Sequence, residues 1–233
     1  MYTSQSLGSF IQQRYISFGP SCLSAEILKA CNLRFCTFGF DWFRSGSFHH
    51  SLFFKLDLKD FLKFHVNNLS APLRQRSNPE QQDNKTSEVE GLKQVYGYNV
   101  LYNPHKNYNK YSFDYYERSF RRLTLRLDSN SPEFISPIFL MADYLNKAHY
   151  VHFNNTGEAA AYLSYNCLLK YNYTPSIKII RFKLVEDEDL CSLPLSFKKS
   201  EHHTEYIVPL SYKIDASTEM RRLFYKSLFE IFA

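Results

Sequence analysis

The apolar residues of this chain fall into two spacings, short runs and helical intervals, and the switch between them predicts the elements. Tyr15 to Phe18 is a short apolar run that the breaker cluster Gly19-Pro20-Ser21 ends. From Cys22 onward Leu23, Ile27, Leu28 and Cys31 recur near one face of a helix, with Glu26 and Lys29 off it. Ser21 is the candidate N-cap and Asn32 the candidate stop. Phe35 to Phe48 is aromatic and irregular, centred on Phe40-Asp41-Trp42-Phe43, and Leu52 to Leu69 returns to helical spacing through Phe53, Leu56, Phe61 and Phe64. Ser70 to Gly91 is the most polar stretch and predicts an exposed loop or insertion at about 70–91, the first place a protease would cut.

Beyond it, Tyr98–Tyr102 reads as a strand ended by Asn103-Pro104, and Phe113–Leu127 as a helix with Tyr116, Phe120, Leu123 and Leu127 on one side. Pro137–Met141 is a buried strand, Thr156–Lys170 a helix, and Ile177–Val185 a strand ended by the acidic run Glu186–Asp189, read as a solvated loop. Glu205–Leu210 is a further strand and Glu219–Phe232 a closing amphipathic helix. Strands alternating with helices predict the α/β class: one domain over residues 1–233, a mostly parallel central sheet, and helices on both faces. The N-terminal strand-turn-helix carries Cys22. Tyr15–Phe18 is expected as an inner strand because apolar material flanks it.

Composition narrows the function classes. With 44% hydrophobic and 17% aromatic residues the chain can fill a core without disulfides or a structural metal. The net charge of +5 is small and dispersed, which argues against nucleic acid as partner and suits an anionic small substrate. The five cysteines are odd in number, the N-terminus lacks a basic and apolar leader, and no apolar run is long enough to cross a bilayer. The expectation is reduced thiols in the cytoplasm and no transmembrane segment. No Cys-x-x-Cys or His-x-x-x-His spacing points to metal, and no Gly-x-Gly-x-x-Gly or P-loop points to a nucleotide cofactor, so neither metal nor cofactor is expected. Oligomeric state is left open.

Cys22 is the first candidate for chemistry. A thiol attacks only as thiolate, and the first turn of a helix favours negative charge through its free N–H groups and its dipole. The N–H groups of Cys22 and Leu23 would then form an oxyanion hole. The competing reading is a small apolar residue packed under a turn. Cys31, Cys36, Cys167 and Cys191 stand in apolar or loop contexts. A base has to come from a histidine. His105 follows Pro104 in a loop, while His49-His50, His149, His152 and His202-His203 are the others considered.

The segments Ile16-Ser17-Phe18-Gly19-Pro20-Ser21-Cys22, Leu33-Arg34, Phe40-Asp41-Trp42 with Ser45, and Arg121-Arg122-Leu123-Thr124-Leu125-Arg126 together resemble a bacterial family of unknown function labelled papain-like cysteine peptidases. The resemblance covers roughly the first 130 residues. That family opens with Ser-Leu-Gly-x-x-Cys, continues with Leu-Arg and Pro-Phe-Asp-Trp, and then shows a histidine region and an Arg-Arg-x-x-Arg segment. It implies Cys22 as nucleophile and His105 as its base. Two positions depart from it: Gly39 stands where the family has proline, and Lys106 follows His105 where the family has aspartate. Asp41 is the candidate orienter of the base, or a residue that caps its own turn. Trp42 and Ser45 are candidates for the pocket wall and for a polar substrate group. Arg121, Arg122 and Arg126 either bind a carboxylate or phosphate, or form a solvated basic face.

The function expected is a cysteine-nucleophile hydrolase of peptidase type, working through an acyl-cysteine on a small-molecule, peptide or glycan substrate. The alternatives are a thiol-dependent acyl or group transferase in surface polysaccharide biosynthesis, and a non-catalytic module that binds an anionic ligand.

Overall fold

The computed structural model describes residues 13–19, 22–41, 47–63, 113–130, 134–145, 156–190 and 195–228. In chain order the elements are β1 (Tyr15–Ser17), α1 (Leu23–Ala30), α2 (Ser47–Lys55), α3 (Phe113–Leu127), β2 (Ile138–Tyr144), α4 (Thr156–Tyr171), β3 (Ser176–Val185), α5 (Asp187–Leu190), β4 (Ser196–Lys199), β5 (His203–Ser211), α6 (Tyr212–Ala216) and α7 (Thr218–Ser227). The five strands form one sheet in the order β1-β2-β3-β5-β4. β1, β2, β3 and β5 run parallel, and β4 pairs antiparallel with β5. This is the mostly parallel α/β sheet that the pattern predicts.

The alternation of side chains along β2 explains the layers. Phe139 and Met141 enter a cluster with Phe18, Phe40, Phe53, Phe120 and Leu163, beneath α2, α3 and α4. Ile138, Leu140, Ala142 and Tyr144 enter a second cluster with Leu23, Ile27, Leu28 and Tyr225, beneath α1 and α7. All of β2 is buried, the signature of a parallel strand covered on both faces.

Among the described residues β1 ends the row of strands, and the predicted strand 98–102 lies outside them. The segment after α1 is tied to the chain just before β1: Gln13 Nε2 donates to the Tyr15 carbonyl at 2.8 Å, while Gln13 Oε1 accepts from the Phe35 N–H at 2.8 Å and the Cys36 N–H at 3.3 Å. Two expectations are corrected. β2 runs to Tyr144, past the predicted end at Met141, because Asp143 and Tyr144 are buried with the strand. The acidic run after β3 forms the helical turn α5, although its residues are exposed as expected.

β4 was not anticipated: all four of its residues are exposed, so no apolar alternation marks it. The predicted strand 98–102, the polar stretch 70–91 and Ser21 lie outside the described residues. No described helix is long and apolar enough to cross a membrane.

Candidate functional site

Parallel sheets present their chemistry at the carboxyl ends of the strands. At that end of β1 the Phe18 N–H donates to the Leu140 carbonyl at 2.9 Å, which carries the pairing one residue past Ser17. Cys22 then caps α1 with φ −61° and ψ −11°, so its backbone is already helical, and its carbonyl accepts the Glu26 N–H at 2.9 Å. Its side chain makes no capping hydrogen bond and is partly exposed. The buried hydroxyls of Ser17 and Ser24, one on either side of the turn, make no hydrogen bond.

Burial pushes Cys31 and Cys36 up to about 11 and Cys167 up to about 12, so they stay protonated at neutral pH. Cys191 lies outside the described residues.

Asp41 is fully buried and builds the loop that follows α1. Its Oδ2 accepts from Arg34 Nε at 2.8 Å and from the Phe38 N–H at 3.1 Å, while its own N–H returns to the Phe38 carbonyl at 3.2 Å. Arg34 also donates to Thr37 Oγ1 at 2.7 Å. Burial raises the Asp41 carboxyl to about 6 against the opposing pull of Arg34. This is the turn-capping use that its place before Trp42 suggests. Trp42 and Ser45 lie outside the described residues, as do His105, His149 and His152.

The three arginines of α3 separate. Arg121 is exposed and pairs with Glu117 one turn back at 2.6 Å. Arg122 forks onto the Thr37 carbonyl, Nε at 2.9 Å and Nη2 at 2.7 Å, tying the Asp41 loop to α3. Arg126 is buried, donating from Nε to the Gln13 carbonyl at 2.8 Å and from Nη2 to the Ile135 carbonyl at 2.7 Å. Arg122 and Arg126 therefore hold backbone carbonyls, Arg122 half-buried and Arg126 buried.

His50 on α2 is the histidine that the described residues bring to the end of β1. Its ring meets Phe18 edge-on at 5.2 Å and Phe40 at 4.8 Å. Burial, reinforced by His49, lowers its pKa to about 3. The ring packs against both phenyl groups, and burial favours its neutral form.

Asp143 is a candidate that no motif or spacing in the chain singles out. It stands at the carboxyl end of β2, paired in register with Arg181 of β3. Oδ1 accepts the Tyr144 N–H at 2.8 Å, while Oδ2 is buried with no hydrogen bond. Desolvation raises its pKa to about 7, where a carboxyl can both give and accept a proton. The available signal was a carboxylate inside the otherwise apolar run Ile138-Phe139-Leu140-Met141-Ala142-Asp143-Tyr144.

A pH dependence follows. The folded pKa of Asp143 lies above the unfolded ~3.9, so its contribution to stability is complete below that value and is lost as pH rises through about 7. The span corresponds to at most about 4 kcal/mol. Asp41 acts in the same direction toward about 6. In urea unfolding at several pH values, wild type should lose stability relative to Asp143→Asn between pH ~4 and ~8. Parallel curves would mean that Asp143 ionises freely.

Among the described residues no group of three or more His, Cys, Asp or Glu is arranged to hold a metal ion. The chain matches no protein-family profile, no curated protein and no solved structure.

Proposed function

We propose that the protein is a thiol-nucleophile enzyme in which Cys22 forms an acyl-cysteine intermediate, the chemistry that its papain-like resemblance implies. The observation that carries the reading is the position of Cys22: partly exposed, the N-cap residue of α1, beyond the carboxyl end of β1. A strand-turn-helix of this kind aims the thiol at the edge where open α/β sheets place their sites. It also offers first-turn N–H groups to a thiolate and to a developing oxyanion.

The thiolate attacks an acyl carbonyl, the tetrahedral intermediate expels its leaving group with a proton from the base, and a thioester remains. Water then releases an acid, or an acceptor hydroxyl or amine takes the acyl group; hydrolase and transferase differ only in that second nucleophile. His105 is the proposed base. Asp41 acts in this reading as a positioning residue, through the loop that leads into Trp42. The described cysteines form no disulfide, which suits a reducing compartment such as the cytoplasm.

The test is an activated ester, p-nitrophenyl acetate, followed by intact-mass and peptide analysis. One acetyl group should appear on Cys22 as nitrophenolate is released. Cys22→Ser should lose that adduct while its unfolding curve stays close to wild type, and His105→Ala should slow acylation by about 10²–10⁴-fold. Acetylation spread over lysines, unchanged in Cys22→Ser, would sink the proposal.

A further inference from the structure

A second feature lies along the same face of α1. Cys22, Glu26 and Lys29 are spaced four and three residues apart, which sets them in one stripe of the helix. Glu26 and Lys29 of that stripe face α7, which presents its own stripe of Thr218, Arg221, Arg222 and Tyr225. Between the two helices is a cavity of about 310 Å³, and Glu26, Lys29, Thr218, Arg221 and Arg222 are among the residues that line it.

The charge of the cavity is unbalanced. Three cations face it against the single carboxylate of Glu26. The Lys29 ammonium and the Arg222 guanidinium enter no hydrogen bond or ion pair with any described residue. Arg221 is half held: its Nη1 donates to the Asp215 carbonyl at 3.2 Å and lies 3.9 Å from Asp215 Oδ1, which fixes the guanidinium at the cavity wall. Asp215 is itself buried and accepts a hydrogen bond from Tyr144 at 2.5 Å; its carboxylate offsets Arg221 but does not line the cavity. Thr218 opens α7, whose N-cap Ser217 accepts only the Met220 N–H, and the first-turn N–H groups of a helix have no partner within it.

Like charges do not gather round a concave space without cost, and an oxyanion removes that cost while a cation adds to it. From the cavity, its three cations and the opening turn of a ten-residue helix we infer that the groove between α1 and α7 binds a doubly charged oxyanion, a phosphate or a dicarboxylate, carried by the substrate. Guanidinium forks bind both groups in two-point fashion, and Lys29 adds a point charge. Lys29 lies seven residues along α1 from Cys22, about 10 Å at the rise of an α-helix. The substrate is thus an acyl compound whose reacting carbonyl and anionic group are about that far apart. This last step rests on the Cys22 reading; the anion site itself does not.

The experiment is isothermal titration of the intact protein with pyrophosphate and, separately, with malonate, at about 0.15 M sodium chloride. Saturable one-to-one binding is expected. The double variant Lys29→Gln/Arg222→Gln, both exposed positions outside the core, should weaken it by at least about tenfold. Whichever probe binds more tightly names phosphate or carboxylate as the source. Cys22→Ser should bind the probe as wild type does, so a failed nucleophile and a failed anion site give different results. No saturable heat, a heat that added chloride reproduces, or undiminished binding by the double variant overturns the inference.

Discussion

Gly39→Ala should cost about 3 kcal/mol of stability, measured by urea unfolding. A Cβ at this position would meet Cδ1, Cε1 and Cγ of Phe120 at 2.1, 2.3 and 2.7 Å. The ring cannot retreat, since its centroid lies 5.1 Å from that of Phe40, 4.9 Å from Phe61 and 5.9 Å from Phe53. The strain passes instead into the backbone between Phe38 and Asp41, where the carboxylate bonds are made. Phe120→Ala alone opens a cavity and should also cost about 3–5 kcal/mol. The double variant should cost less than the sum by about 2 kcal/mol, because the alanine methyl enters the space that the ring leaves. Strict additivity would mean that Gly39 and Phe120 do not share that space.

Arg126→Met is the second large effect, about 3–5 kcal/mol, from two carbonyls that lose charge-assisted hydrogen bonds in the interior. Methionine keeps much of the aliphatic volume, so the loss reports the polar contacts. Those contacts hold the Gln13 carbonyl before β1 and the Ile135 carbonyl before β2, and so fix both strands against α3. Gln13 also bonds the backbone at Phe35 and Cys36, so loosening it reaches the loop that Asp41 organises. Arg126→Lys, with a single ammonium, should recover only part of the stability. Full stability in Arg126→Met, with binding of the substrate alone impaired, would return Arg126 to the role of substrate clamp.

Much of the fold is written in spacing. The change from the run Tyr15–Phe18 to the helical interval Leu23, Ile27, Leu28 separates β1 from α1, and both sets are buried as that change implies. Where the reading fell short, the deciding interactions are long-range. Nothing local tells that the side chain of Gln13 ties the segment after α1 to the start of β1. β2 continues past Met141 because Asp143 and Tyr144 are carried inside by the strand that contains them.

The arginines of α3 look alike along the chain and diverge only when their partners are known: Glu117 for Arg121, Thr37 for Arg122, Gln13 and Ile135 for Arg126. Gly39 reads as a mild departure from a Pro-Phe-Asp-Trp pattern, and its reason is Phe120, distant in sequence. Of the candidate chemistry, Cys22 and Asp41 were visible from their local context, the turn before a helix and the position before a tryptophan. The cationic groove was not, since Lys29 and Arg222 meet only in the fold.

Competition for iodoacetamide at neutral pH asks whether Cys22 is the reactive thiol. Thiols raised to about 11 or 12 hold at least a hundredfold less thiolate than one at the ordinary ~8.5. With limiting reagent and peptide mapping over time, Cys22 should be alkylated first and more than about tenfold faster than Cys31, Cys36 or Cys167. Slow labelling shared equally among the cysteines, or another cysteine labelled ahead of Cys22, would contradict the account.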